Sequence, residues 1–266
     1  MLKVFRKFSL FSLLIGSSAL SAGEPTEIDP AWLAKIGDRA EYIDYTHHFQ
    51  RLFKKLKVRT FLEFGVGFAT KSFLDSCNKV ISVEFITNGY GPEGMKNFLE
   101  HYKGYSNWIP LAFFTGYIGD TSWAPYKHQG SESVYKANSY QAATHKNYAP
   151  IDDFYLVELN AFILNLMRSN HIDAAFVDSG SYIRGDLVQL LLGKVPVVLA
   201  CNTHCRLTGE KDDIYGYGRI QTPDNYEEIY IPKGAGTTAW VSRSPEYKEI
   251  AQDLKKYALE CTRNRK

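Results

Sequence analysis

Residues 60–85 read TFLEFGVGFATKSFLDSCNKVISVEF. A short apolar run rich in aromatic residues ends in a turn with two glycines. A short helical pattern follows, and a second apolar run, VISVEF, closes the unit. Runs this short, bounded by turn residues, predict buried strands, and the helix between them predicts a parallel pair joined by a crossover. A parallel pair needs both faces covered, so the rest of the chain must supply more strands and helices in alternation.

It does. PAWLAKIGDRAEYIDYTHHFQRLFKKLK predicts one or two helices, with Ile43, Phe49, Leu52, Phe53 and Leu56 at helical spacing. PEGMKNFLEHYKGY predicts a helix entered through Pro92, where the missing N–H costs little. WIPLAFFTG predicts a third strand. IDDFYLVELNAFILNLMRSN and RGDLVQLLLG predict helices, and IDAAFVDSG and VPVVLACNT predict strands. EEIYIP and TTAWVSR, joined by KGAG, predict an antiparallel hairpin, and PEYKEIAQDLKKYALECTR a closing helix. Residues 120–150 are rich in Tyr, Ser and His without a period, and predict a long loop or insertion. The expected architecture is one α/β domain over residues 23–266 with a doubly wound sheet, parallel except for a C-terminal antiparallel hairpin.

The turn EFGVGFA has the strand-before, helix-after context that a ligand-binding glycine turn requires. Gly65 and Gly67 let the backbone approach a ligand with no Cβ between them. Glu84 lies nineteen residues after Gly65, at the end of the next strand. A carboxylate there can accept two hydrogen bonds from a ribose diol. Ala69 takes the place of the third glycine of nicotinamide fingerprints, and Glu63 precedes the turn. A carboxylate aimed at the turn disfavours pyrophosphate and favours a cationic or amine-bearing ligand, so the expected partner is a small-molecule or nucleoside-type ligand.

FLEFGVGFATKSFL and VISVEF resemble the first two motifs of class I S-adenosylmethionine-dependent methyltransferases. The likeness runs over most of residues 40–243, with seven strands in that family's order and its closing hairpin. The resemblance implies a Rossmann-like methyltransferase sheet, S-adenosyl-L-methionine as cofactor, and methyl transfer to a small or medium acceptor. It implies Glu63 near the methionine amine, Gly65 and Gly67 beneath the ligand, Glu84 on the ribose and Asp120 at the adenine end. HIDAAFVDSGSYIRGDLVQLLLGKVPVVLACNTH is similar to the later half of the catechol O-methyltransferase-like group. In that group a strand-end Asp and a following Asp-Asn pair hold a divalent cation. Asp178 matches the first ligand and Asn202 the amide. Cys201 stands in place of the second carboxylate, and Ser181 in place of a histidine. A hard cation takes oxygen ligands, so no metal is expected. Asp178 and His204 are the catalytic candidates. His171 is a second candidate base, His47 and His48 read as surface residues, and Arg184 reads as an ion-pair partner of Asp178.

Three positive charges in MLKVFRKF, the short apolar run SLFSLLIG and the small residues SSALSAG have the layout of a cleaved signal peptide over residues 1–22. The run is too short for a stable membrane anchor. The expectation is an exported protein, periplasmic or secreted. Removing Lys3, Arg6 and Lys7 changes the formal charge from +2 to −1 (2 − 3). That near-neutral balance, without a dense Lys/Arg cluster, excludes a nucleic-acid groove. DSGSY lacks the glycine of a nucleophile elbow, which removes the hydrolase reading. CNTHC has no second cysteine pair, and Cys77, Cys201, Cys205 and Cys261 read as buried or singly paired. Export and a cytosolic cofactor conflict. They are reconciled by delivery into another cell, by a ligand met outside, or by an exported non-catalytic binding protein on the same scaffold.

Overall fold

The computed structural model describes residues 40–86, 98–114, 127–129, 153–179, 184–204 and 215–263. The signal-peptide segment, Asp120, Ser181, Cys205 and most of the 120–150 stretch lie outside these.

Helix α1 (Ala40–Leu56) leads into β1 (Thr60–Phe64), α2 (Ala69–Leu74) and β2 (Lys79–Ile86). Residues 98–101 are helical, and β3 (Trp108–Phe114) and a short β4 (Lys127–Gln129) follow. Then come α3 (Asp153–Ser169), β5 (Ala174–Val177), α4 (Arg184–Leu191) and β6 (Val197–Cys201). The hairpin of β7 (Tyr226–Ile231) and β8 (Thr237–Ser242) precedes α5 (Lys248–Arg263).

The described strands form one sheet in the order β4-β3-β2-β1-β5-β6-β8-β7. Pairing is parallel from β4 through β6, and β8 runs antiparallel to both β6 and β7. The fold class is the doubly wound α/β sheet with an antiparallel C-terminal pair that the sequence predicts. The strand count is corrected: Lys127 to Gln129, read as loop, add an eighth, edge strand on β3. KHQ carries no apolar alternation, so only its pairing with Ala112, Phe113 and Phe114 reveals it.

Every residue of β1, β5 and β6 is buried, as expected of strands covered on both sides. One face packs Leu62, Phe64, Ile81 and Val83 against Leu159, Phe162 and Ile163 of α3 and Leu187, Val188 and Leu191 of α4. The other packs Phe61, Val80 and Phe176 against Phe49 and Phe53 of α1, Phe73 of α2, and Ile250 and Leu254 of α5. Each such side chain contributes roughly 1.5–3 kcal/mol by leaving water. The two apolar layers fix β1 and β5 side by side. Because the chain winds outward from β1 through β2 and β3 and returns to β5, the point where winding reverses lies between β1 and β5. A crevice beyond the carboxyl ends of those strands is where such sheets bind ligands.

Candidate functional site

Gly65 leaves β1 at φ +98°, a conformation L side chains rarely adopt. A Cβ there would lie 2.5 Å from the carbonyl oxygen of Asp178 and 2.7 Å from the Cα of Ser179. Gly65 therefore lets the turn after β1 close onto the turn after β5. The Asp178 N–H donates to the Phe64 carbonyl at 2.8 Å, and the Gly65 N–H to the Val83 carbonyl at 2.9 Å, so the turn is tied on both sides. At Gly67 a Cβ would have no atom of the described residues within 4 Å. The Gly67 carbonyl accepts from the Tyr102 hydroxyl at 3.0 Å, and its N–H donates to Thr70 Oγ1 at 3.0 Å.

Two carboxyl groups support this turn from below. Glu63 is fully buried. It accepts from the Thr70 hydroxyl at 2.9 and 3.0 Å and from the Ser82 hydroxyl at 2.7 Å. Ser82 in turn accepts from Trp108 Nε1 at 2.9 Å. Burial pushes the Glu63 pKa up from 4.5 to about 8, against the pull of these hydroxyl donors. The strand pleat turns Glu63 into the layer between sheet and α2, where Thr70 links it to Gly67. Glu84 is buried at the carboxyl end of β2, and its Oε2 accepts the Val66 N–H at 2.7 Å. Its Oε1 accepts the Phe85 N–H at 3.2 Å. Burial pushes Glu84 up to about 7, with the two N–H donors opposing. A carboxylate has about four acceptor positions, so two remain for a ligand.

Beyond β5 the half-buried Asp178 pairs with the buried Arg184, Oδ1 to Nη1 at 3.0 Å. The same Nη1 donates to Asn202 Oδ1 at 2.8 Å and lies 3.4 Å from the Cys201 carbonyl. Arg184 Nε donates to the Ser179 carbonyl at 2.5 Å, and its guanidinium carbon sits 4.2 Å above the Tyr215 ring. Asn202 holds φ 59°, which a short amide side chain tolerates, and turns its carbonyl oxygen toward the guanidinium. Ser179 is fully buried, and its hydroxyl has no hydrogen-bond partner among the described residues.

Of the residues singled out in the sequence, Gly65, Gly67, Glu84 and Asp178 meet at the carboxyl ends of β1, β2 and β5. His204 is exposed after β6, with Nδ1 3.2 Å from the Tyr230 hydroxyl on the hairpin side. His171 stands before β5, where its Nε2 lies 3.1 Å from Asp173, at the opposite end of the sheet from the turn. That placement removes it as a base for this crevice. His48 is half-buried, not a surface residue: its ring stacks on Tyr257 of α5 at 3.6 Å. Burial lowers its pKa, as does the charge of Arg51. Cys77, Cys201 and Cys261 are buried free thiols. Among the described residues no group of three or more His, Cys, Asp or Glu side chains could hold a metal ion. Thr70 and Ser82, which both donate to Glu63, and the unpartnered Ser179 are not marked out in the sequence. Hydroxyl residues are too common for their spacing to single them out.

No protein-family model matches the chain, and no curated protein sequence matches it. Solved structures similar to it in chain path include the O-methyltransferase from Bacillus cereus in complex with SAH, at 10% identity and TM-score 0.47, covering 75% of this chain and 81% of that one. Another is the O-methyltransferase TomG from Streptomyces achromogenes, involved in Tomaymycin synthesis, in complex with SAM, at 14% identity and TM-score 0.44, covering 85% and 93%. A third is the SAH-bound Podospora anserina methyltransferase PaMTH1, at 11% identity and TM-score 0.42, covering 83% and 99%.

Proposed function

We propose that this protein is an enzyme that binds S-adenosyl-L-methionine across the turn of Gly65 and Gly67 and transfers its methyl group to a small or medium acceptor. The observation that carries this is the joint between Glu84 and the turn. The Val66 N–H donates to Glu84 Oε2 at 2.7 Å. That bond holds a carboxylate beside a turn where a Cβ on Gly67 would meet none of the described residues within 4 Å. A ribose diol on the two remaining acceptor positions of Glu84 and an adenosyl chain over Gly67 account for both features. The orphan Ser179 hydroxyl, beside Gly65, is a further donor and acceptor at the same place.

When bound, the ligand would supply an electrophilic sulfonium methyl group and leave as the neutral thioether, and Asp178 would take the proton that the acceptor's hydroxyl or amine gives up. The protein's part is mostly alignment. Asp178, partly exposed at the end of β5, accepts a hydrogen bond from the acceptor's hydroxyl or amine and directs its lone pair. Calorimetric titration with S-adenosylhomocysteine tests the reading, with one saturable site expected. An absence of heat at high concentration would sink it and leave a non-catalytic binding scaffold.

A further inference from the structure

Arg184 is at the wrong end of its helix. It is the first residue of α4, where the helix dipole disfavours a cation. It is also buried, and a buried charge is costly unless well paired. Local propensity therefore does not explain it; its partners do. Asp178 Oδ1 at 3.0 Å, Asn202 Oδ1 at 2.8 Å and the Cys201 carbonyl at 3.4 Å all converge on the single nitrogen Nη1. Asp178 follows β5, Asn202 follows β6, and one positive centre ties the two strand ends together. Nε on the Ser179 carbonyl and the Tyr215 ring beneath the guanidinium fix its plane.

Three oxygens around one cationic centre is also the arrangement a hard metal ion would take, at 2.0–2.6 Å rather than hydrogen-bond distance. The resemblance noted in the sequence gives Asp178 and Asn202 to such an ion. The residues present do not fit one: the donors already surround a guanidinium, and Cys201, in place of a second carboxylate, lies with Sγ 3.5 Å from the same nitrogen. We propose that Arg184 is the resident cation of this crevice, standing in the place of a divalent metal ion between Asp178 and Asn202. It is a positioning residue that holds Asp178 toward the acceptor. The acceptor class follows, and this part rests on the methyl-transfer reading. With no metal to chelate, the acceptor needs a single hydroxyl or amine and no neighbouring second oxygen.

Titration with Mn²⁺ alone, followed by the loss of its free-ion electron paramagnetic resonance signal, tests the cation assignment without any cofactor. Wild-type protein is expected to show no saturable site that depends on Asp178. Arg184→Met with Cys201→Asp removes the charge and restores the second carboxylate. It is expected to gain one Mn²⁺ site at least tenfold tighter than anything in wild type, and to lose it again when Asp178→Asn is added. A folded Arg184→Met, Cys201→Asp protein without that gain would overturn the proposal. So would a wild-type Mn²⁺ site that Asp178→Asn abolishes, and this comparison decides alone if the double variant does not fold. Failure of S-adenosylhomocysteine binding would sink the methyl-transfer reading and leave the Mn²⁺ outcome standing.

Discussion

The Cα of Gly65 faces the carbonyl of Asp178 so closely that a Cβ would lie 2.5 Å from its oxygen. The end of β1 and the end of β5 thus touch backbone to backbone. Gly67, two residues on, has no such neighbour among the described residues.

The two glycines should therefore behave oppositely. Gly65→Ala meets both the contact and φ +98°, and is expected to lose roughly 2 kcal/mol or more of stability. Gly67→Ala is expected to stay within about 0.5 kcal/mol of wild type, as substitutions into open space do. Gly67→Val should keep the melting temperature and weaken S-adenosylhomocysteine binding. Thermal melts with calorimetric titration read both quantities. Equal melting temperatures for Gly65→Ala and wild type would contradict the packing.

Glu84 should govern affinity. Charge-assisted hydrogen bonds contribute roughly 1.5–3 kcal/mol each, and about 1.4 kcal/mol is tenfold. Glu84→Ala is expected to weaken S-adenosylhomocysteine binding at least about tenfold, and Glu84→Gln less, because an amide keeps one acceptor oxygen. Melts control for the Val66 N–H that the alanine variant also releases. If Glu84→Ala binds as well as wild type, the ribose role is wrong.

Alkali should weaken the fold across a defined window. Burial raises Glu63 from 4.5 to about 8 and Glu84 to about 7. Between the unfolded and folded values the native chain holds protons that the unfolded chain has released. The stability these groups contribute is full below about pH 4.5 and is lost as pH rises through about 8. Glu63→Gln, neutral throughout, is expected to flatten the fall in melting temperature between pH 5 and 8. An unchanged slope would mean that Glu63 ionises freely in the native state.

Export is testable at the N-terminus. With the apolar run ending at Gly16 and small residues following, the mature chain is expected to begin near Ala22 or Gly23. N-terminal sequencing of protein from the extracytoplasmic fraction checks this, and an intact Met1 on cytosolic protein would refute it.

The sequence alone determined the alternation of strands and helices, because strands buried on both faces read as mostly apolar runs, as AAFV and VVLA do, and as FLEF does apart from Glu63. It also determined the glycine turn, because only glycine is at ease at the φ of residue 65. It could not reveal β4, whose KHQ has no pattern and exists through its pairing with β3. Nor could it decide what Glu63 bonds to, which is the hydroxyls of Thr70 and Ser82. Distance decided the histidines in the same way, sending His171 to the far end of β5 and stacking His48 on α5. The pairing of Arg184 with Asp178 was legible in the sequence, and only the tertiary structure added Asn202 to the same guanidinium, because Asn202 comes from the end of a different strand. A buried charge takes its position from whichever oxygens the fold assembles around it, and that assembly has no signature in the spacing of the chain.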